Sequence, residues 1–254
     1  MSYQSISVEK KDGILEFGIN RPDKFNAVNG QVMNEFSQMF DEVEKDEEIK
    51  VLIMRGSKKF FSSGRDIDDF DFSTAGDSFD FIESDMKLLE RFETIKKPVI
   101  AAISGLAYGF GTEVSVICDI VIASDSAKFA LPEVTVGAVP IILLTRGQSL
   151  LGRHDIAYLA YTGEAIDAYE AKQIGLVNKV VPQDQLLEEA RRIAKKIAKN
   201  APLGIKTIKR ILTAKARESY YDSIGIIPGL FLSEDLKEGT KAFLENRKPE
   251  FTGK

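Results

Sequence analysis

The sequence is poorest in the residues that support disulfide, redox and histidine-based chemistry. Its 254 residues include one cysteine, Cys118, and one histidine, His154. A lone cysteine excludes a disulfide within the chain and suits a reducing compartment. Cys118 lies in the apolar run from Val114 to Ala123, where a buried structural thiol is expected rather than a nucleophile. A His–nucleophile pair would have to use His154, yet Leu151-Gly152-Arg153-His154-Asp155 reads as a loop entering a helix. No stretch approaches the ~18 apolar residues that span a bilayer. The polar, mixed-charge segment Met1–Lys11 lacks the apolar centre of a signal peptide. A cytoplasmic protein without membrane attachment is therefore expected. The 34 Lys and Arg are scattered along a chain of net charge −5, without the patch that a nucleic-acid surface needs. A small anionic ligand stays open, since it needs only a few local cations. Low-complexity segments and sharp repeats are also missing.

What is present is an ordinary globular balance, 44% hydrophobic and 29% charged, in a chain long enough for a substantial core. Ile14–Ile19 alternates like a strand, and Arg21-Pro22-Asp23 breaks it. Asn29 is placed to cap a helix with apolar face Val32, Phe36, Met39, Phe40 and Val43. Lys50–Met54 reads as a short strand. After the polar loop Ser62–Asp69, the spacing of Phe79, Ile82, Met86, Leu89 and Phe92 predicts a second helix. Lys97-Pro98 ends it, and Val99–Ile103 reads as a buried strand. This order predicts a parallel α/β core. From about Leu186 to Ala216 the apolar spacing is helical, and Ser233 is placed to cap a last helix.

Three segments carry candidate chemistry: Phe60-Phe61-Ser62-Ser63-Gly64-Arg65-Asp66-Ile67, Ser104-Gly105-Leu106-Ala107-Tyr108-Gly109-Phe110-Gly111-Thr112-Glu113, and Phe129-Ala130-Leu131-Pro132-Glu133. In the second, glycines between a strand and an apolar run suggest a turn that exposes backbone N–H groups at a helix start. Such groups suit an anion or a developing oxyanion. A dinucleotide fingerprint is the competing reading, but Val114 stands where the third glycine should be. Taken singly, Glu113 reads as a first-turn acid and Glu133 as a solvated loop acid.

Together, the three segments resemble the signatures of the crotonase (enoyl-CoA hydratase/isomerase) superfamily. The resemblance extends to Asn20-Arg21-Pro22-Asp23-Lys24-Phe25-Asn26-Ala27, to Thr162-Gly163 with Gly175-Leu176-Val177-Asn178, and to Glu238-Gly239 through Ala242-Phe243-Leu244. It implies an α/β fold, a spiral of repeated ββα units over residues 1–195, followed by a helical oligomerisation region over 196–254. It also implies an acyl-CoA thioester substrate, with coenzyme A as part of the substrate, no separate cofactor and no metal. The positions matching the family's oxyanion hole are the backbone N–H groups of Arg65 and Phe110. Those matching its catalytic acids are Glu113 and Glu133. The implied CoA contacts are Lys24, Phe25, Ala27, Ser63, Gly64, Asp66, Ile67, Gly109 and Phe243.

Retention of both glutamates favours an enoyl-CoA hydratase over a Δ3,Δ2-enoyl-CoA isomerase, which commonly manages with the second alone. Thioester hydrolysis, or a non-catalytic acyl-CoA-binding or RNA-associated relative, are further alternatives. Three departures from the family pattern stand out: Phe110 in place of a glycine, Ile141-Ile142-Leu143-Leu144 where glycines commonly follow Pro140, and Asn246 in place of a lysine. The resemblance further implies a homo-oligomer, with a hexamer expected over a trimer.

Overall fold

The computed structural model describes residues 3–70, 72–214 and 231–253. The chain opens with an antiparallel pair, β1 (Ile6–Lys11) and β2 (Ile14–Ile19), followed by α1 (Gly30–Lys45). Asn29 caps α1 as its sequence predicts, its side chain accepting from the Val32 N–H at 3.1 Å. Three successive turns of the chain then each place one strand in each of two sheets. They are β3 (Val51–Arg55) with β4 (Phe60–Ser62), β5 (Val99–Ile103) with β6 (Leu106–Tyr108), and β7 (Ile120–Ser124) with β8 (Lys128–Ala130). Helix α2 (Ala75–Thr94) follows the first pair and α3 (Phe110–Ile117) the second. After α4 (Ile141–Thr145) and α5 (Arg153–Thr162), β9 (Ile166–Asp167) joins the small sheet. Next, α6 (Ala168–Gln173) leads to β10 (Lys179–Val181) in the large sheet. The large sheet runs β1-β2-β3-β5-β7-β10 and the small one β4-β6-β8-β9. All pairings are parallel except β1–β2 and β8–β9. The expected spiral of ββα units is what the chain forms.

The central strands of the large sheet, β3, β5 and β7, are near-continuous apolar runs because both faces are covered. Leu52, Met54, Ala101 and Ile103 join the core with Phe36, Phe40 and Phe92 from α1 and α2. Val51, Ile53, Ile100 and Ala102 point the other way, onto Leu186, Ala190 and Ala194 of α7 (Leu186–Ala198). The boundary expected at residue 196 lies in the last turn of α7. Beyond it come α8 (Pro202–Leu212) and α9 (Glu234–Leu244), the latter capped by Ser233 as expected. The part of the C-terminal region between 215 and 230 lies outside the described residues.

Buried Lys209 ties α8 to the core: its ammonium donates to the carbonyls of Phe92 (2.9 Å) and Lys97 (3.1 Å) and pairs with Asp119 (2.6 Å). A cation at the C-terminal end of α2 also meets the negative end of that helix's dipole. Among the described residues, no helix is long and apolar enough to cross a membrane.

Candidate active site

The site is assembled where the two sheets' loops meet. After β4 the chain turns at Gly64, whose φ of +107° is open to glycine and strained for other residues. The next residue pairs with Val28 in an isolated parallel bridge. The Val28 N–H donates to the Gly64 carbonyl and the Asp66 N–H to the Val28 carbonyl, both at 2.8 Å. In this pattern the N–H and C=O of Arg65 itself face away from Val28.

The same loops hold most of the residues expected to contact CoA. The Phe25 carbonyl accepts from the Ser63 N–H at 3.1 Å, and the Ala27 carbonyl accepts from Arg21 Nη1 at 2.8 Å. Buried Asp66 pairs with that same Arg21 nitrogen at 2.8 Å, so its carboxylate staples the first loop to the second. Ile67 opens the short 3-10 turn Ile67–Asp69. Lys24 is exposed and pairs with Asp68 at 3.1 Å. Phe25, itself exposed, holds a left-handed backbone at φ 50° and sets its ring edge-on to Phe60. Phe243 is exposed on α9, and no hydrogen bond, ion pair or ring contact ties it to these loops among the described residues.

The glycine turn enters α3 as the sequence suggests. Gly109 has φ +51° and ψ −118°, its N–H donates to the Ala130 carbonyl, and its carbonyl accepts from Thr112 and Glu113 N–H groups. Phe110 is the first residue of α3, so its N–H has no partner within the helix. Its side chain is buried. A Cβ placed on Gly64 would lie 3.8 Å from the Phe110 nitrogen. One on Gly109 would lie 3.4 Å from Gly64 Cα and 3.1 Å from Glu133 Oε1. Three sequence-distant segments thus converge on one point. At both glycines it is the positive φ that disfavours any other residue.

One carboxyl, Glu133, reaches this point, and a second, Glu113, lies near enough for its charge to act on Glu133. Glu113 stands in the first turn of α3, and its Oε1 accepts from the Ile142 N–H at 2.7 Å and more distantly from that of Leu143 at 3.4 Å. Those donors open α4, the segment that departs from the family pattern by carrying Ile141–Leu144 where glycines commonly follow Pro140. This apolar sequence winds into a helical turn that buries Ile142 and Leu143 and aims its free N–H groups at Glu113. Glu133 follows Pro132 in the 3-10 turn Pro132–Val136, and its Oε2 is enclosed with no hydrogen-bond partner among the described residues. Read singly as a solvated loop acid, Glu133 is a sheltered one. Burial raises the pKa of Glu113, against the pull of its two backbone donors. Burial also raises Glu133 well above the usual carboxylate range, and the charge of Glu113 raises it further. Such a pair resists joint ionisation.

A third acid, absent from the sequence reading, lies beside them. Asp85 of α2 contacts Arg65 Nε at 3.1 Å, and burial lifts its pKa to about 6. Its signal in the sequence is a carboxylate between Ile82 and Leu89, inside the apolar stripe of α2. The Arg65 side chain is held on several sides. The lone thiol and the lone histidine are no part of this: Cys118 follows α3, with its pKa raised by burial, and His154 is exposed in α5. Two surface clefts of roughly 440 and 470 Å³ contain neither Glu113 nor Glu133. Among the described residues, no group of three or more His, Cys, Asp and Glu is arranged to hold a metal.

The raised carboxyls make a stability prediction. An unfolded glutamate titrates near pH ~4.3. Groups whose folded pKa lies above that contribute stability below it and lose that stability as pH rises through the folded pKa. Glu133→Gln and Glu113→Gln are therefore expected to melt above the parent at pH 8, by about 2–4 °C per kcal/mol recovered. The difference should vanish near pH 4. A melting difference independent of pH would contradict the buried placement of the two acids.

Known proteins repeat this arrangement of chain. Residues 9–254 match the family described as enoyl-CoA hydratase/isomerase. A probable enoyl-CoA hydratase of Mycobacterium bovis is 37% identical over 99% of both chains. A crotonyl-CoA hydratase of Syntrophomonas wolfei is 36% identical over the full length of both. Among solved structures, a carnitinyl-CoA hydratase from Mycobacterium avium superposes with a TM-score of 0.87, at 32% identity and full coverage of both chains. With its ββα spiral, its glycine approach and a match along nearly its whole length, this chain belongs to the enoyl-CoA hydratase/isomerase family.

Proposed function

We propose that the chain is a trans-2-enoyl-CoA hydratase that adds water reversibly to give a 3-hydroxyacyl-CoA. The observation that carries this reading is the pair of neighbouring buried carboxyls, Glu113 and Glu133, of which Glu133 lies against Gly109 where it approaches Gly64. In the proposed reaction the thioester carbonyl oxygen accepts from the Arg65 and Phe110 N–H groups. One carboxylate takes a proton from water as the water oxygen bonds to C3. The electron pair of the double bond moves onto C2 and the carbonyl, forming an enolate held by the two N–H donors. The other carboxyl gives its proton to C2. The pair begins and ends with one proton, so water is consumed and nothing else is.

The backbone of Phe25 and Ala27 and the loop Ser63, Gly64, Asp66, Ile67, with Gly109, would line the path of the CoA moiety. Lys24 would meet a phosphate by exchanging its exposed partner Asp68. The relatives named as hydratases support hydration as the chemistry, and the one named for crotonyl-CoA supports a short acyl chain. Exposed Leu203, Ile208, Ile211 and Leu212 on α8 support association of chains into a trimer or hexamer. Phe243 would then act at a neighbour's CoA.

The test follows absorbance of the conjugated thioester with purified protein. Crotonyl-CoA is expected to lose it rapidly as water adds, while a 3-enoyl-CoA gains little. Rapid conjugation of the 3-enoyl-CoA with slow hydration of crotonyl-CoA would replace the hydratase reading with the isomerase one.

A further inference from the structure

We propose that Asp85 is a positioning residue for the oxyanion hole: carried on α2, its carboxylate fixes the Arg65 side chain and thereby aims the Arg65 backbone N–H. The inference rests on the reading of that N–H as an oxyanion donor. The Arg65 guanidinium is held from three directions. Its Nη1 donates to the Val28 carbonyl at 2.9 Å, and its Nη2 pairs with Asp69 at 3.2 Å. Its Nε lies 3.1 Å from Asp85 Oδ2, off the N–H direction, so this contact is an ion pair rather than a hydrogen bond. The guanidinium plane also covers the Phe81 ring at 4.6 Å.

Each anchor has its own consequence. Val28 is the residue bridged to Arg65, so the Nη1 bond locks side chain and backbone to the same partner. Asp69 also accepts from the Gly30 N–H at 3.0 Å, which ties the 3-10 turn to the start of α1. Asp85 and Phe81 sit one helical turn apart on α2, and both hold Arg65 to that helix. In the comparison with Asp69, Asp85 is the anchor whose structural return is poor. It accepts no hydrogen bond among the described residues, and its charge raises the already burdened Glu113. An apolar residue would fill the place at lower cost. Its use is directional: it draws Arg65 toward α2 and toward the glutamates, and without it Asp69 and Val28 still keep the loop folded.

The test uses cinnamoyl-CoA, whose absorption moves to longer wavelength when its thioester carbonyl is polarised, so the oxyanion hole is read without turnover. The parent is expected to shift the bound probe. Asp85→Ala should shrink the shift and lower kcat for crotonyl-CoA by about 10- to 100-fold, as displaced catalytic groups do, with KM little changed. Asp85→Glu should restore part of both. A full parental shift in Asp85→Ala would overturn the proposal, whatever happens to its melting temperature. No shift in the parent would overturn the oxyanion reading and this inference with it. A parent that shifts the probe but leaves crotonyl-CoA unhydrated would end the hydratase reading alone, and the variant's spectrum would still decide the role of Asp85.

Discussion

Glu113→Gln and Glu133→Gln are each expected to lower the hydration rate of crotonyl-CoA by at least about 100-fold, the usual scale for loss of a positioned acid or base. Both steps of water addition need a group that changes protonation, and an amide does neither. Folding should survive, because Gln at 113 keeps an oxygen for the Ile142 and Leu143 N–H groups, and Gln at 133 removes a charge from an enclosed site. CoA binding should also survive, since the loops at Phe25 and Ser63 hold no part of either acid. The double substitution should cost little more than either single one, because the two acids act as one unit. Steady-state rates on crotonyl-CoA and on a 3-enoyl-CoA decide the matter. Near-parental hydration by Glu113→Gln would end the two-glutamate mechanism. A mild effect there with a disabled Glu133→Gln, seen on the 3-enoyl substrate, is the isomerase pattern.

Replacing Phe110 by proline should have an effect of comparable size through the backbone. Proline removes the N–H at 110, and the first position of a helix is where its ring and missing donor are best tolerated. The aromatic side chain at 110 is buried, so its loss must be separated from loss of the donor. Phe110→Ala supplies that control, since it deletes the ring and keeps the N–H. With both variants folded by near-ultraviolet circular dichroism, kcat of Phe110→Pro is expected to lie about 100- to 1,000-fold below that of Phe110→Ala. Equal rates for the two would remove Phe110 from the oxyanion hole.

Much of this was legible in the residues because it depends on local physics. The cap at Asn29, the strands at 14–19 and 99–103, and the helix beginning near Phe110 follow from side-chain hydrogen bonding, apolar periodicity and glycine conformation within a few residues. The strand expected at 50–54 lies one residue later, a boundary set by pairing with β2 and β5 rather than by its own sequence. β1 was not legible: Ile6–Lys11 is largely polar and is held as an edge strand by β2. The apolar run from Val114 to Ala123 holds two elements, split where Asp119 turns back to accept from the Val99 N–H.

The candidate acids divide in the same way. By itself, the sequence determined that glycines at 64, 109 and 111 leave backbone exposed and that glutamates stand at 113 and 133. It could not determine their ionisation, because a carboxyl's pKa depends on neighbours that arrive from elsewhere in the chain. The tertiary structure decided that Glu133 is enclosed, that Glu113 takes its hydrogen bonds from the start of α4, and that Asp85 lies against Arg65. Periodicity and capping act over one or two turns of chain. Desolvation and Coulomb interaction act through space, and in this protein the spiral brings together groups separated by 20 to 29 residues along the sequence.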